Sequence, residues 1–524
     1  MGVYLNPGNS NFAGALKSKI YVDKTCMLKV LNEFIDQENK YIVISRPRRF
    51  GKTIASEMIA AYYSKGCDSQ ELFSKLKISE VEGYEEKRNK YNVIKIDLNS
   101  EYQNTENKRN MLKELKREIK AEMAKQFPQI SFAKNDSVAK CIQRIHTETG
   151  ETFIILIDEY DVLVREQVPP TLFDEFLSFL NGLFKSATLR PAISLAYLTG
   201  ILPVVRDKIQ SKLNNFREYT ILDAKELAEY VGFIPEEVKA LCREWGMDYE
   251  ECRRWYDGYA QRGFEIYNPE SVVQSMLDKD YSNYWGKTSS YQVISDRLDA
   301  NFDGMKDAVI RMLAGEKVEV NVTRYLNTMN SFSSRNDAFT YLIHVGYLAY
   351  ERETNTCRIP NREIRQEWFN AIETQPGYEI TNRIIESSRE LLESTLRKDH
   401  KAVAAALDES HIHVTSNRSY NNEDALQSAI YLAYIYALNK YTIIKEMTTG
   451  KGFADVVFIP YVSGLPAMVI ELKYNKSAGG ALKRIRDKQY FESLNNYKGG
   501  LLFVGVNYDE KKKTHTCKIE EFTV

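Results

Sequence analysis

The chain has 524 residues, more than a single hydrophobic core usually organises, so roughly two to four domains are expected. Its content of 43% hydrophobic and 27% charged residues predicts an ordinary soluble protein. The net charge of −1 excludes a global attraction to nucleic acid or membranes, so any contact with a polyanion must depend on local basic clusters. Neither a signal peptide nor a long apolar run occurs, and we expect neither export nor membrane insertion.

The cysteines point to a reducing compartment. There are seven of them, scattered singly, and none forms a CxxC pair with the spacing of metal ligands. An odd number of isolated thiols is typical of reduced cysteines rather than of a disulfide framework. The sequence therefore predicts a cytoplasmic protein.

Residues 1–220 alternate strand and helix patterns. The strand-like runs are Tyr41–Ser45, Asn92–Leu98, Phe153–Asp158 and Ala192–Thr199, and the helical segments between them include Ile54–Tyr63, Met111–Gln126 and Leu172–Lys185. This order predicts a parallel sheet with helices on both faces. Ligands of such sheets bind beyond the carboxyl ends of the strands.

The first of these strands leads into a phosphate-loop pattern. The run IVISRPRRFGKT, residues 42–53, takes an apolar strand through a turn and delivers Gly51, Lys52 and Thr53 to the start of a helix. Backbone N–H groups in this geometry hold nucleotide phosphates. Lys52 would reach the β- and γ-phosphates, and the Thr53 hydroxyl would ligate Mg²⁺. The pattern departs from a full phosphate loop because Arg46 stands where the first glycine belongs.

A second strand ends in two acids. Residues 153–159 read FIILIDE, in which Asp158 is expected to hold Mg²⁺ and Glu159 to polarise the water that attacks the nucleotide. Thr199 ends the strand SLAYLTG, where its hydroxyl would sense the γ-phosphate or hold water; a capped turn explains it equally well. Taken singly, a Gly-Lys-Thr helix cap and a core strand that meets solvent are common. Their order and spacing together favour a nucleotide site.

Residues 221–400 have a different character. Helical patterns cover Asp223–Val231, Pro235–Trp245, Tyr249–Tyr256 and Asp337–Val345; two short strands follow, Tyr347–Glu351 and Thr356–Ile359, and then the helix Arg383–Arg397. Helices followed by a hairpin predict a winged-helix-like lid. We find no catalytic constellation in this block, and the aromatic turns WYDGY and YNP are interpreted as structural.

Residues 401–524 predict an α/β domain with a mixed sheet. A helix from Glu423 to about Leu438 precedes three strands, a helix and two further strands, namely Tyr441–Met447, Phe453–Ile459, Ala467–Leu472, Ala478–Leu494, Gly500–Val506 and Thr514–Ile519. Alternate residues of a strand share a face, so Glu471 and Lys473 point the same way, and Asp455 on the preceding strand is near enough to meet them.

These side chains form a second candidate site. Two neighbouring carboxylates repel unless a divalent cation lies between them, which suits Mg²⁺, with Mn²⁺ as a substitute. Lys473 would orient a metal-bound water or offset negative charge during hydrolysis of a phosphodiester, and Glu423 would add a carboxylate. A surface ion pair between Glu471 and Lys473 is the simpler alternative. Basic clusters, which either hold a nucleic-acid backbone or form a solvated face, follow at Lys483, Arg484, Arg486, Lys488, Lys511, Lys512 and Lys513.

Short motifs along nearly the whole chain resemble those of a known protein family. They are YVDKT at 21–25, RPRRFGKT at 46–53, IDEYD at 157–161, TGI at 199–201, LNNF at 213–216, WYDGY at 255–259, YNP at 267–269, GYL at 346–348, IPN at 359–361, and Glu423, Asp455, Glu471 and Lys473. The chain resembles bacterial and archaeal proteins that join an N-terminal AAA-ATPase-like domain to a C-terminal PD-(D/E)XK nuclease-superfamily domain. The resemblance implies a P-loop NTPase domain at 1–220, a helical, winged-helix-like lid and linker at 221–400, and a restriction-endonuclease-like domain at 401–524.

The resemblance also assigns roles to single residues. The family's phosphate loop carries Arg-Pro-Arg-Arg, which implies that Arg46, Arg48, Arg49 and the adjoining Phe50 lie near the nucleotide. Relatives tend to have a glutamine followed by isoleucine on the nuclease helix, whereas this chain has Arg484-Ile485, a change that bears on cleavage efficiency.

The sequence as a whole predicts an ATP-binding and hydrolysing switch coupled to a Mg²⁺-dependent nuclease-like domain. DNA is favoured over RNA as its substrate, an oligomer is compatible with the sequence, and defence against foreign DNA is a role that suits such an architecture. One alternative is a nucleotide-dependent signalling or scaffold protein whose last domain binds nucleic acid or a partner without cutting. A second alternative is that ATP is bound without turnover.

Overall fold

A computed structural model describes residues 2–204, 215–261, 264–287, 291–300, 302–323, 332–373, 375, 378–414, 423–449, 452–462, 464–488 and 500–522. The chain divides into two compact units, one of Met1–Ser290 with Lys317–Ile364 and the other of Tyr291–Glu316 with Arg365–Val524. The three-domain division at residues 220 and 400 stays a prediction. No helix in the described ranges has the length and apolar character needed to cross a bilayer.

The first unit contains a five-stranded parallel sheet. Its strands are β1 (Tyr41–Ser45), β2 (Asn92–Asp97), β3 (Phe153–Asp158), β4 (Ile193–Gly200) and β5 (Arg217–Tyr219), in the spatial order β2-β3-β4-β1-β5. All four neighbouring pairs run parallel. The predicted parallel sheet is confirmed, and β5 is an additional strand that the sequence patterns did not indicate.

Helices cover both faces of this sheet. Phe153, Ile155 and Ile157 belong to a core that includes the helices Met111–Gln126, Val138–Thr149 and Pro170–Phe184. Alternate strand residues point the opposite way, and there the helix Lys52–Tyr63 contacts β2, β3 and β4. Because β1, β3 and β4 are buried on both sides, they read as continuous apolar runs.

The remaining elements of the first unit are short helices and two small sheets. The antiparallel pair is β6 (Tyr259–Gln261) with β7 (Phe264–Ile266), and the three-stranded sheet has the order β8-β10-β9, from Val318–Glu319, Thr356–Arg358 and Ala349–Glu351. The predicted hairpin therefore forms, while the winged-helix-like arrangement stays a prediction. The other α-helices are Ser10–Leu16, Met27–Phe34, Gln70–Phe73, Leu98–Asn104, Val162–Arg165, Pro235–Trp245, Tyr249–Tyr256, Pro269–Asp278 and Arg335–His344.

The second unit contains a five-stranded mixed sheet. Its strands, in spatial and chain order, are β11 (Tyr441–Thr449), β12 (Gly452–Pro460), β13 (Ala467–Tyr474), β14 (Leu501–Asp509) and β15 (Thr514–Phe522). Only β13 and β14 pair in parallel, and the other neighbours are antiparallel. The predicted mixed α/β domain is confirmed. The α-helices of this unit are Gln292–Leu298, Met305–Leu313, Glu379–Leu396, His400–Val414, Glu423–Ala433 and Ala478–Asp487, and Arg362–Glu373 contains the division between the units.

The two faces of the mixed sheet pack against different helices. Val456, Ile470 and Val504 lie in a core with residues of the helices Glu379–Leu396, His400–Val414 and Glu423–Ala433. Val457 and Val469 lie in a smaller core with Leu482 and Ile485 of the helix Ala478–Asp487. By alternation, Asp455, Glu471 and Lys473 belong to this second face.

Some predicted elements have other limits in the structure. The helix expected over Glu423–Leu438 ends at Ala433 and is followed by a 3₁₀ turn at Ile435–Asn439, and the helix expected over Asp223–Val231 is a 3₁₀ helix at Lys225–Tyr230. Tight i→i+3 turns of this kind leave little trace in apolar periodicity. The helix His400–Val414, which packs against β15, was not predicted.

Candidate nucleotide and metal sites

The loop after β1 adopts an unusual backbone conformation. Arg49 has φ of 67° and Gly51 has φ of 85°, and the helix Lys52–Tyr63 begins immediately after. A left-handed residue before a helix directs successive N–H groups toward one concave surface, which is an anion-binding geometry. Open space surrounds the position of a Cβ on Gly51, so its torsion rather than crowding favours glycine here.

Lys52 is held at this loop by its own backbone. The buried ammonium donates to the carbonyl oxygens of Arg46 at 3.0 Å and Pro47 at 2.9 Å. Burial lowers the pKa of Lys52, and the negative charges of Glu159 and Asp158 oppose that shift. The charges of the acidic strand end therefore act on the Lys52 ammonium, and its role toward a phosphate stays a prediction.

Asp158 and Thr199 meet at the carboxyl edge of the sheet. Ile157 lies opposite Leu198 in the ladder, so the next residues of the two strands are neighbours. The Thr199 hydroxyl donates to Asp158 Oδ1, which also accepts from the N–H of Glu159 at 3.1 Å. Asp158 is buried, and these donors orient its carboxylate.

Glu159 lies beside an arginine that sequence reasoning did not single out. Its φ is 54°, and its carboxylate forms an ion pair with Arg165, which also lies 3.2 Å from Asp161 Oδ2. Burial raises the pKa of Glu159, while the charges of Lys52 and Arg165 oppose this. Asp161 in turn accepts from the N–H groups of Ile201 at 3.1 Å and Leu202 at 2.9 Å, which fixes the turn after β3 to the end of β4.

A cavity of about 690 Å³ adjoins these residues. Its lining includes Gly51, Lys52, Thr53 and Glu159, together with the apolar or aromatic residues Ile20, Tyr21, Val22, Tyr230, Phe233, Val273 and Leu277. Pockets for small ligands have volumes of about 300–1,000 Å³ and combine an apolar lining with a few polar groups. The cavity therefore has the size and the mixed lining of a small-ligand pocket.

The four residues that precede Gly51 are not equivalent. Arg48, Arg49 and Phe50 line the cavity, and Arg49 Nη1 lies 3.6 Å from Oε1 of Glu270, which also lines it. Arg46 is not among the lining residues: its buried guanidinium donates to the carbonyl oxygens of Ser45 at 3.0 Å and Tyr219 at 3.3 Å. Arg46 thus joins the ends of β1 and β5, and its expected place near the nucleotide stays a prediction.

The second candidate site lies on the mixed sheet. Asp455 Oδ2 accepts from the backbone N–H of Leu472 at 2.7 Å, which fixes this carboxylate beside Glu471. Lys473 Nζ donates to Glu471 Oε1 at 2.8 Å and to the carbonyl of Leu472 at 2.8 Å. The structure therefore brings Asp455, Glu471 and Lys473 together on one face.

The two carboxylate oxygens of Glu471 have different surroundings, and this difference matters for metal binding. Its Oε1 is shared by Lys473 and by Arg484, whose Nε lies 2.9 Å away, whereas the buried Oε2 has no hydrogen-bond partner among the described residues. Burial, and next the charge of Asp455, raise the pKa of Glu471 to about 7 against the opposing charges of Lys473 and Arg484. A buried oxygen without a donor, next to a second carboxylate, fits a divalent cation. Within the described part of the chain, no group of three His, Cys, Asp or Glu side chains forms a fuller metal site.

The other residues that the sequence singled out lie away from these contacts or outside the described part of the chain. The helix Glu423–Ala433 begins at Glu423, but the side chain of this residue lies outside the described residues, as do Leu213 and Asn214. Lys483, Arg486 and Lys488 are exposed, and Arg486 forms an ion pair with Glu520. Lys511, Lys512 and Lys513 are also exposed.

Two models of protein families match parts of the chain. Residues 8–210 match the family model described as predicted AAA-ATPase, and residues 421–518 match a model of the PD-(D/E)XK nuclease superfamily. The chain thus carries an AAA-ATPase-like domain and, toward its C-terminus, a nuclease-superfamily domain, and the resemblance inferred from the motifs is confirmed.

One curated relative and one solved structure illustrate what else is similar. A protein of Azotobacter chroococcum mcd 1, named "Uncharacterized protein in vnfD 5'region", is 22% identical over 517 residues, which cover 94% of each chain. The Aeropyrum pernix ORC2 protein, solved as ADPNP–ADP complexes, has a TM-score of 0.24 and 9% identity, covering 68% of this chain and 97% of that one. A TM-score at that level supports no conclusion about fold or function.

Proposed function

We propose that this protein binds and hydrolyses ATP and that its C-terminal domain cleaves DNA phosphodiesters with a divalent metal. The observation that carries the ATP part is that the Lys52 loop and the Asp158–Glu159 strand end meet at one edge of a parallel sheet, beside a cavity of about 690 Å³. The nuclease part is supported by the common face of Asp455, Glu471 and Lys473.

At the nucleotide site, each residue has a distinct task. The N–H groups that follow Gly51 bind phosphate oxygens, and Lys52 exchanges its two loop carbonyls for the β- and γ-phosphates. Thr53 and Asp158 would hold Mg²⁺, which when bound neutralises charge that develops on the phosphates. Glu159 accepts a proton from the attacking water, and Thr199 keeps Asp158 oriented.

The apolar part of the cavity would take the adenine base. Tyr21, Tyr230 and Phe233 offer aromatic surfaces, and Val273 and Leu277 come from the helix Pro269–Asp278. Since several of these residues belong to 221–400, that segment is suited to the proposed role of a lid that closes over the nucleotide.

At the second site, the chain's own residues prepare a phosphodiester for hydrolysis. Asp455 and Glu471 would hold Mg²⁺ or Mn²⁺, with Glu423 as a third carboxylate, and such an ion would supply Lewis-acid chemistry by lowering the pKa of water and polarising the phosphate. Lys473 offsets negative charge in the transition state. The exposed Lys483 and Lys488 would contact the nucleic-acid backbone. The proposed setting is a cytoplasmic protein that acts against foreign DNA.

Two assays test this proposal. Phosphate release from ATP should be measured for wild type, Lys52→Ala and Glu159→Gln; hydrolysis by wild type but not by Glu159→Gln supports turnover, and equal release by both contradicts it. Cleavage of supercoiled DNA, linear DNA and single-stranded RNA should be measured with Mg²⁺ and Mn²⁺. Cutting that Asp455→Ala and Lys473→Ala abolish supports the nuclease. Intact substrates under every condition would favour a scaffold that binds without cutting.

A further inference from the structure

We propose that Arg484 is a built-in cation at the acidic site and competes with the divalent ion for Glu471. This inference rests on the proposed metal site and adds a regulation to it, because the ion would share Glu471 with a positive side chain that already pairs with Oε1.

The helix that carries Arg484 is firmly attached to the sheet. Ser477 caps its start by accepting from the N–H of Gly480 at 3.1 Å, and Ile485, next to Arg484, is fully buried. The helix also approaches β14 so closely that a Cβ added to Gly505 would lie 2.4 Å from the carbonyl of Ala478. The backbone position of Arg484 is therefore fixed, and its guanidinium reaches Glu471 Oε1 without any adjustment of the fold.

Two positive side chains already contact one oxygen of this carboxylate pair. Lys473 and Arg484 both lie against Oε1 of Glu471, while Asp455 is held beside it. A divalent cation bound by Asp455 and by the buried Oε2 of Glu471 would therefore lie close to two positive charges, and their repulsion would weaken its binding. Moving one of these side chains away would strengthen metal binding.

The two cations differ in how easily they can leave. Lys473 has a 7% exposed side chain and is anchored a second time by the carbonyl of Leu472, so its departure would leave a buried group unpaired. The Arg484 side chain is 41% exposed, so its guanidinium is already partly hydrated and loses less by leaving Glu471 than the buried Lys473 would. Arg484 is thus the displaceable partner, and its charge sets the metal concentration at which the site fills.

The test is a calorimetric titration of the full-length, nucleotide-free protein with MnCl₂. We compare wild type with Arg484→Gln, Arg484→Lys and Asp455→Asn, and with Arg486→Gln as the matched control on the same helix. Asp455→Asn identifies which heat belongs to the acidic site, and thermal melts check that each variant is folded. We expect Arg484→Gln to lower the Kd for Mn²⁺ at that site about tenfold, the ratio that corresponds to about 1.4 kcal/mol. Arg484→Lys and Arg486→Gln should stay within about twofold of wild type.

The outcomes separate this inference from the proposed function. Binding that depends on Asp455 and tightens in Arg484→Gln supports the competition, and so does binding that becomes measurable only in that variant. Binding that depends on Asp455 but is unchanged or weaker in Arg484→Gln overturns the competition and leaves the metal site standing. If neither wild type nor Arg484→Gln shows binding that depends on Asp455, the metal site itself is refuted, and the competition with it.

Discussion

Replacing Lys52 tests the nucleotide site most directly. Lys52→Met retains most of the aliphatic stem in its buried position but removes the ammonium that bonds to the carbonyls of Arg46 and Pro47. We expect this variant to bind ATP more weakly than wild type because it loses the contact with the β- and γ-phosphates.

The size of the loss can be worked out from the contacts. In the structure the ammonium makes two hydrogen bonds to neutral carbonyls, at 3.0 and 2.9 Å, and with ATP it would make a similar number to charged oxygens. The number of hydrogen bonds therefore hardly changes, and the gain on binding comes from the Coulomb attraction between the ammonium and the phosphates. At an effective dielectric constant near 20 this is at most about 4 kcal/mol, and a net value of about 2–3 kcal/mol predicts a Kd raised roughly 30- to 150-fold.

The assay is isothermal titration calorimetry with ATP, ADP and AMP in the presence of Mg²⁺. The loss should be greatest for ATP, smaller for ADP and absent for AMP, because AMP lacks both phosphates that Lys52 would contact. A thermal melt of each protein shows whether the variant remains folded. An ATP affinity equal to that of wild type, or an equal loss for all three nucleotides, would refute the reasoning.

Three further predictions concern other contacts. Arg165→Met should lower kcat for ATP hydrolysis about tenfold with the Kd for ATP within about twofold, because Arg165 orients Glu159; an unchanged kcat contradicts this. Glu270→Gln should tighten ATP binding by up to about fivefold, since it frees Arg49 from a half-exposed ion pair, and weaker binding by calorimetry would count against it. Burial raises the pKa of Asp257 from 3.8 to about 7, so folding favours its protonated form, and the contribution of this group to stability is fully present below pH 4 and is lost as the pH rises through 7. Asp257→Asn should therefore flatten the pH dependence of denaturant unfolding between pH 5 and 7 by at most about 1.4 kcal/mol per pH unit, and a slope equal to that of wild type excludes this role.

The sequence predicted the sheets better than the surroundings of the sites. β1 and β3 have the predicted limits. A strand that is buried on both faces is apolar at nearly every position, and this continuous run marks where the strand begins and ends. The strand Arg217–Tyr219 was missed because three residues are too short to show a period. Alternation also indicated correctly that Glu471 and Lys473 share a face.

Contacts between distant elements could not be predicted in the same way. The pairing of Arg484 with Glu471 depends on how closely the helix Ala478–Asp487 approaches the sheet, and the burial of Arg46 depends on a carbonyl of β5. Both arginines occupy positions that the motifs single out, one as a replaced glycine and the other as a replaced glutamine. In each case the pattern indicated an unusual residue, and only the packing of the fold revealed what it contacts.

The two candidate sites use positive side chains in different ways. At the proposed nucleotide site, Lys52 would exchange the loop carbonyls for the phosphates while its charge remains in the cavity, so binding would change its partners without removing a cation. At the acidic site, Arg484 pairs with Oε1 of the same carboxylate whose buried Oε2 would hold the metal, so its positive charge lies beside the ion. The first arrangement favours binding of an anion, because its positive charge is retained. The second opposes binding of a cation while Arg484 stays in place, and on this reasoning the acidic site should fill at a higher metal concentration than it would without the charge of Arg484.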